Sequence, residues 1–333
     1  MLELAPVRDD PFARIRLRWL AAWLLLSGLS YLGAVIAVGG WHAIDPRANG
    51  VAVFSIWAYS APLLWMVFVC RREGVRLSRL LRAPKHGNWL EGPALALAQL
   101  TFSLPSFMVL LYLISLVLPG KVQGLLSHPE RLALETGHMS APAVMFLFVV
   151  VAPVAEELLF RGMLFHVLAS RWGVRPALLA VAALFAVLHP NPIAMFVFSL
   201  LLSALYLKGR TLIFPILCHM TNNAVPALIL LAMPKSTRPP AGIATSLVSF
   251  QHGIGPALLA TVLLGGLLVL YIERSWPKPD AVMPYFDDDV VPWPPEPDEP
   301  PGGSDAMSRG VEAPSRGPDA PEHSRPGESG STW

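Results

Sequence analysis

Three charged residues stand inside the apolar segment Pro153 to Phe165, P-V-A-E-E-L-L-F-R-G-M-L-F. The stretch Ala141 to Ala155 has no charged residue, so Glu156, Glu157 and Arg161 fall within a long hydrophobic run. A charge at the centre of a bilayer costs about 2.5–3.5 kcal/mol on insertion scales, and such groups are kept where they have a task. On a helix, residues four apart share a face and a Glu placed N-terminal to an Arg is the favoured order, which pairs Glu157 with Arg161. Glu156 points about 100° away round the helix and has no partner in the segment. That is the condition of a carboxylate reserved for moving protons; a structural ion network between helices is the competing reading.

Two further features bear on Glu156. In F-A-V-L-H, Phe185 and His189 lie one turn apart, with His189 just before Pro190, where a helix loses its regular geometry. In H-M-T-N-N, His219 and Asn223 are four apart and project from one face. A lone histidine in an apolar helix is more often a core residue with its hydrogen bond satisfied. Three helices that each bring one polar or ionisable group to the middle of a bundle are the construction of an embedded active site or a proton path. His166, near the end of its helix, reads as a boundary residue, and His42, His86, His128, His138, His252 and His323 fall in loops or the C-terminal tail. There is no H-E-x-x-H for a zincin site and no G-x-S-x-G for a serine nucleophile. Every Asp lies outside the apolar runs, which excludes an aspartate dyad in the membrane.

The elements that would carry these residues are helices of a membrane bundle. Mean hydropathy is +0.52, and hydrophobic residues make up 54% of the 333 against 14% charged, too apolar for an ordinary soluble domain. The expected fold is all-α, a polytopic bundle of about eight transmembrane helices, near 19–40, 51–70, 92–118, 141–168, 176–189, 193–207, 212–233 and 255–272. Arg8, Arg14, Arg16 and Arg18 precede the first run, and Arg71, Arg72, Arg76, Arg79, Arg82 and Lys85 follow the second. By the positive-inside rule both termini face the cytoplasm, in the cell (inner) membrane. The organisation reads as a basic arm over 1–18, N-terminal membrane helices over 19–140, a catalytic membrane domain over 141–275 and a disordered tail over 277–333, rich in proline and acidic residues. Cys70 and Cys218 lie in or beside apolar runs and read as reduced packing residues. The lipid bilayer is the expected surrounding, and no nucleic acid is expected as a partner.

In their order E-E-x-x-x-R, F-x-x-x-H, H-x-x-x-N, on separate spans, these motifs resemble the CAAX-protease and bacteriocin-processing family, also called Abi, over about 140–232. Thr211 and Pro215, leading into His219, fit the same pattern. The resemblance implies an intramembrane endopeptidase acting on a membrane-associated protein or peptide. Glu156 would be the general base for a water that His189 orients, with His219 and Asn223 as oxyanion donors and Glu157, Arg161 and Phe185 in support. Glu156, His189 and His219 are equally an acceptable zinc ligand set, and the family is often called a metalloprotease. The reading leans to catalysis without a cofactor, with Zn2+ as the alternative. A non-catalytic membrane scaffold or immunity protein, and a proton-coupled transporter, are the other function classes; the paired halves usual in a transporter are not evident.

Overall fold

The computed structural model describes residues 10–39, 51–84, 87–127, 141–232 and 246–286, and among them the chain forms helices and no strand. We number the main helices α1 (Leu17–Gly39), α2 (Val51–Glu73), α3 (Glu91–Val117), α4 (141–172), α5 (Val174–Val187), α6 (Pro192–Gly209), α7 (Ile213–Ala232) and α8 (Gly255–Arg274). Short helices at Leu77–Leu80, Pro119–Ser127 and Leu247–His252 and a 3-10 turn at Pro284–Phe286 complete the described residues. Residues 1–9, 40–50, 85–86, 128–140, 233–245 and 287–333, with His42, His86, His128, His138 and His323 among them, lie outside the described residues.

Hydrocarbon about 30 Å thick needs about 20 helical residues. Five of the helices, α1, α2, α3, α6 and α8, are long and apolar enough to cross it. α5 and the apolar part of α7 are shorter. At 14 residues α5 rises about 21 Å, so His189, two residues past its end, falls short of a full crossing. The chain is thus an all-α membrane bundle, as its hydropathy requires.

α3 packs against α6, α7 and α8, while α5 packs against α6 and the last segment of α4. The middle of α4 lies against α2 and α7. Phe165, Phe185, Phe198, Leu201 and Tyr206 are fully buried in the core these helices share. Buried polar side chains fix the α5–α6 turn to α3: Asn191 Nδ2 donates to the Ser103 carbonyl at 2.9 Å and to Ser106 Oγ at 3.2 Å, and Gln99 Nε2 donates to the Ala194 carbonyl at 2.7 Å.

α4 is expected from its sequence as one regular helix and is instead built of five segments, with π geometry at Leu147–Val151 and Leu158–Leu164 flanking Ala152–Glu157. The Ala152 N–H bonds the Leu147 carbonyl and the Phe165 N–H bonds the Phe160 carbonyl, each five residues back. Pro153 accounts for the first: proline has no N–H and its ring crowds the preceding turn, which a wider turn relieves. The helix ends at Gly173, whose φ of 81° favours glycine, and α5 starts on the next residue.

The arginine-rich end of the bundle is closed by segments that the sequence reading set apart as an arm and a tail. Phe12 and Ile15 are buried, and Phe12 stacks on His166 with ring centroids 4.5 Å apart. Met283, Tyr285 and Phe286 are buried too, and Phe12 meets Tyr285 at 5.0 Å. Arg82 donates to the Pro284 carbonyl at 2.7 Å, Arg210 to the Val282 carbonyl at 2.8 Å and Arg175 to the Pro277 carbonyl at 2.9 Å. An unstructured tail from 277 is therefore corrected: residues 277–286 pack on the bundle, because Met283, Tyr285 and Phe286 supply the apolar surface that the proline and acidic residues beyond them do not. His166, read as a boundary residue, is buried as well, its Nδ1 3.0 Å from the Arg161 carbonyl and its Nε2 3.2 Å from Tyr206 Oη.

Candidate active site

Glu156 and Glu157 sit on the short α-helical segment between the two π stretches, so adjacent carboxylates face different neighbours. Glu157 and Arg161 have fully buried side chains and meet at 3.0 Å. The other terminal nitrogen of the Arg161 guanidinium donates to Ser199 Oγ at 2.6 Å and to the Ser199 carbonyl at 3.0 Å on α6, and the guanidinium lies 4.9 Å over the Phe185 ring. Glu157 is not committed to Arg161 alone: its Oε1 also lies 2.9 Å from His219 Nδ1. One buried carboxylate oxygen thus ties α4 to α7, and through Arg161 to α5 and α6.

Glu156 meets the other edge of the His219 ring, in the space between the two histidines. Its Oε2 lies 3.9 Å from His189 Nε2 and 3.9 Å from His219 Nε2. Among the described residues that oxygen is buried and has no hydrogen-bond partner. The exposures of the side chains run from 0% at Glu157 and Arg161 through 5% at His219 to 18% at Glu156 and 26% at His189, so the site opens on the His189 side.

The far nitrogens of both rings set what faces Glu156. His189 Nδ1 lies 2.7 Å from the Phe185 carbonyl, which can only accept, so the proton is on Nδ1 and Nε2 carries a lone pair. His219 Nδ1 donates to the Glu157 carboxylate in the same way, leaving its Nε2 a lone pair. Three acceptor atoms therefore converge when both rings are neutral. One water brings only two protons, so the arrangement has room for one more positive charge, a proton or a cation. Phe185 holds both rings, stacked on His189 at 4.4 Å and edge-on to His219 at 5.9 Å.

Two imidazole nitrogens and a carboxylate oxygen, each ring pinned at Nδ1 by an acceptor, have the donor chemistry of a zinc site. The spacing is wider. Tetrahedral zinc with bonds of about 2.0–2.1 Å brings its donors to about 3.4 Å from each other, against 3.9 Å here. Among the described residues no group of three or more His, Cys, Asp or Glu side chains is arranged to hold a metal ion. As they stand, these side chains do not fit zinc.

Asn223, expected as an oxyanion donor, also has a partner within the bundle. Its Nδ2 donates to the Phe148 carbonyl at 2.9 Å. That carbonyl lacks a backbone partner for a definite reason: the Ala152 N–H has moved to Leu147, and residue 153, next in the five-back register, is proline. Asn223 supplies the missing donor and keeps one further amide N–H. His219, with no proton on Nε2 in its neutral form, donates from that atom only once it has gained one.

Tyr59 on α2 also reaches the site, its hydroxyl 3.4 Å from Glu156 Oε1. Sequence reasoning missed it, along with Ser199 and Asn191, since an isolated tyrosine or serine in an apolar helix carries no spacing signal of its own. Thr211, by contrast, was singled out and has a definite place: its Oγ1 donates to the Arg82 carbonyl at 2.7 Å, holding the α6–α7 turn to the segment after Leu77–Leu80.

Residues 138–225 match the family model described as type II CAAX prenyl endopeptidase Rce1-like. The matched stretch contains all seven motif residues, from Glu156 to Asn223, and excludes α1, α2, α3 and α8. No curated protein and no solved structure matches the chain. The match agrees with the family resemblance on this segment, which is less than half of the chain: the chain is an integral membrane protein, and residues 138–225 are similar to the CAAX-protease type.

Proposed function

We propose that this protein is an intramembrane endopeptidase that hydrolyses a peptide bond of a membrane-associated protein or peptide, with Glu156 as general base and no metal in the step. The observation that carries the reading is Glu156 Oε2, buried, without a hydrogen-bond partner among the described residues and 3.9 Å from each histidine Nε2. A water between these atoms donates one proton toward Glu156 and the other toward an imidazole. Glu156 takes the first as the water oxygen bonds to the carbonyl carbon. The carbonyl oxygen becomes an oxyanion, facing the spare N–H of Asn223 and the His219 ring, which is held at Nδ1 by the Glu157 carboxylate. Glu156 then returns its proton to the departing nitrogen as the C–N bond breaks, leaving an acid and an amine. Tyr59 holds the other oxygen of Glu156 throughout.

Topology follows the arginines: we place both termini in the cytoplasm of the cell (inner) membrane. Phe12 and Tyr285 are in contact, which supports a common side for the two ends. A reporter fused after Arg274 checks the side, and alkaline phosphatase activity there would contradict it.

The activity is tested with purified protein in lipid vesicles and a pool of membrane-tethered peptides, read by mass spectrometry of new termini. Wild type is expected to release fragments, and His189→Ala and His219→Ala to lose at least about 10²-fold in rate. Equal cleavage by wild type and both variants would sink the proposal.

A further inference from the structure

At the arginine-rich end of α1 and α2, away from Glu156 in the chain and outside the matched segment, the two helices enclose a cavity of about 850 Å3. One end of it is charged. Arg14, Arg16, Arg72 and Glu73 line it there, and Glu73 answers two of the three cations: its carboxylate lies 2.9 Å from Arg72 and 3.6 Å from Arg14. Arg16 pairs with no side chain among the described residues, and three arginines against one glutamate leave the mouth positive. Arg16 also lines a second cavity, of about 480 Å3, with Leu17, Arg18 and Arg171. It therefore stands between two basic hollows.

The rest of the first cavity is apolar. Trp23 and Leu26 form one wall and Leu64 and Phe68 the other, over a floor that includes buried Trp65 and Val69. Trp23 Nε1 donates to the Ala61 carbonyl at 2.8 Å, which fixes the two walls to each other. Along α1 from Arg16 to Leu26 the groove runs about 15 Å, the hydrocarbon depth of one leaflet. A positive mouth at the start of a helix that enters the membrane, continued by an apolar wall one leaflet deep, has the two-part shape of an anionic lipid.

We propose that this groove binds an anionic diacyl phospholipid of the phosphatidylglycerol class, its phosphate at Arg16 and Arg72 and the upper part of one acyl chain between Trp23, Leu26, Leu64 and Phe68. The charge selects the anionic lipid, and the apolar wall selects a lipid over a free phosphate. The site needs nothing from the proposed peptidase chemistry and stands apart from it.

The test uses the full chain purified in a neutral detergent, with thermal unfolding followed as phosphatidylglycerol, phosphatidylcholine or sn-glycerol 3-phosphate is added, and native mass spectrometry to count retained lipid. Phosphatidylglycerol is expected to stabilise the protein in a saturable way and to stay bound, while the other two leave it unchanged. Arg16→Gln, at an exposed position, and Arg72→Gln should each weaken the apparent affinity about 5-fold. Equal stabilisation by phosphatidylcholine would mean bulk solvation of an apolar surface and would overturn the proposal. So would full effect from glycerol phosphate, or undiminished phosphatidylglycerol binding by the Arg16→Gln, Arg72→Gln double variant.

Discussion

Adjacent in the chain, Glu156 and Glu157 differ in nearly everything that surrounds them. Glu157 shares one oxygen between Arg161 and His219, in full burial. Removing its charge leaves the guanidinium unpaired in the core, so Glu157→Gln is expected to cost about 3–5 kcal/mol of stability, read as a lower Tm in detergent. An unchanged Tm would show that Ser199 and the Phe185 ring suffice for Arg161. The Glu157–Arg161 pair was legible in the sequence, because i to i+4 spacing is a local property that any helix enforces. The second bond, to His219, was not. It depends on where α7 packs relative to α4, and no spacing within one helix encodes that. Tyr59, Ser199 and Asn191 were hidden for the same reason, each meeting its partner across a helix interface.

At the scale of the element, α4 holds the site because it is not a uniform helix. Apolar length was enough to locate it, whereas the first π stretch comes from Pro153 and from a side chain on another helix that takes up the backbone carbonyl it frees. Asn223 is such a side chain: by bonding the Phe148 carbonyl it supports the wide turn that precedes Glu156. Asn223→Ala should leave that carbonyl unpaired, at about 1–3 kcal/mol. Pro153→Ala returns an N–H that can reach Phe148 in the five-back register, so the cost of Asn223→Ala should shrink in that background. A double-mutant cycle on Tm measures the difference. Strict additivity would show that the amide acts elsewhere, as an oxyanion donor alone.

Across the whole molecule, the two ends of the described chain meet. Phe12, His166, Tyr285 and Phe286 form one aromatic cluster under the arginine-rich end of the bundle, and Arg76 N–H donates to Tyr285 Oη at 3.0 Å. Composition alone misassigned this segment. Proline and acidic residues dominate 277–333 on average, and an average conceals the three apolar residues Met283, Tyr285 and Phe286 at its start. Deletion of 277–333 is expected to lower Tm by at least about 5 °C more than deletion of 287–333, the shift that losing about 2 kcal/mol of apolar burial gives. Equal Tm values for the two truncations would show that the cluster contributes nothing. The membrane class of the protein, by contrast, was legible from hydropathy, since a backbone in hydrocarbon must satisfy its own hydrogen bonds and long apolar runs are left with the helix.

The central claim is that Glu156 is the base, and one assay addresses it: peptide cleavage by wild type and Glu156→Gln, each with and without a strong zinc chelator, alongside Tm for both. Glutamine keeps the shape of the side chain and cannot take a proton from water. The expected result is a loss of at least about 10²-fold in rate for Glu156→Gln at nearly unchanged Tm, with wild-type cleavage unaffected by the chelator. Near-normal cleavage by a well-folded Glu156→Gln would contradict the account, and so would wild-type cleavage that disappears on chelation and returns when zinc is added back.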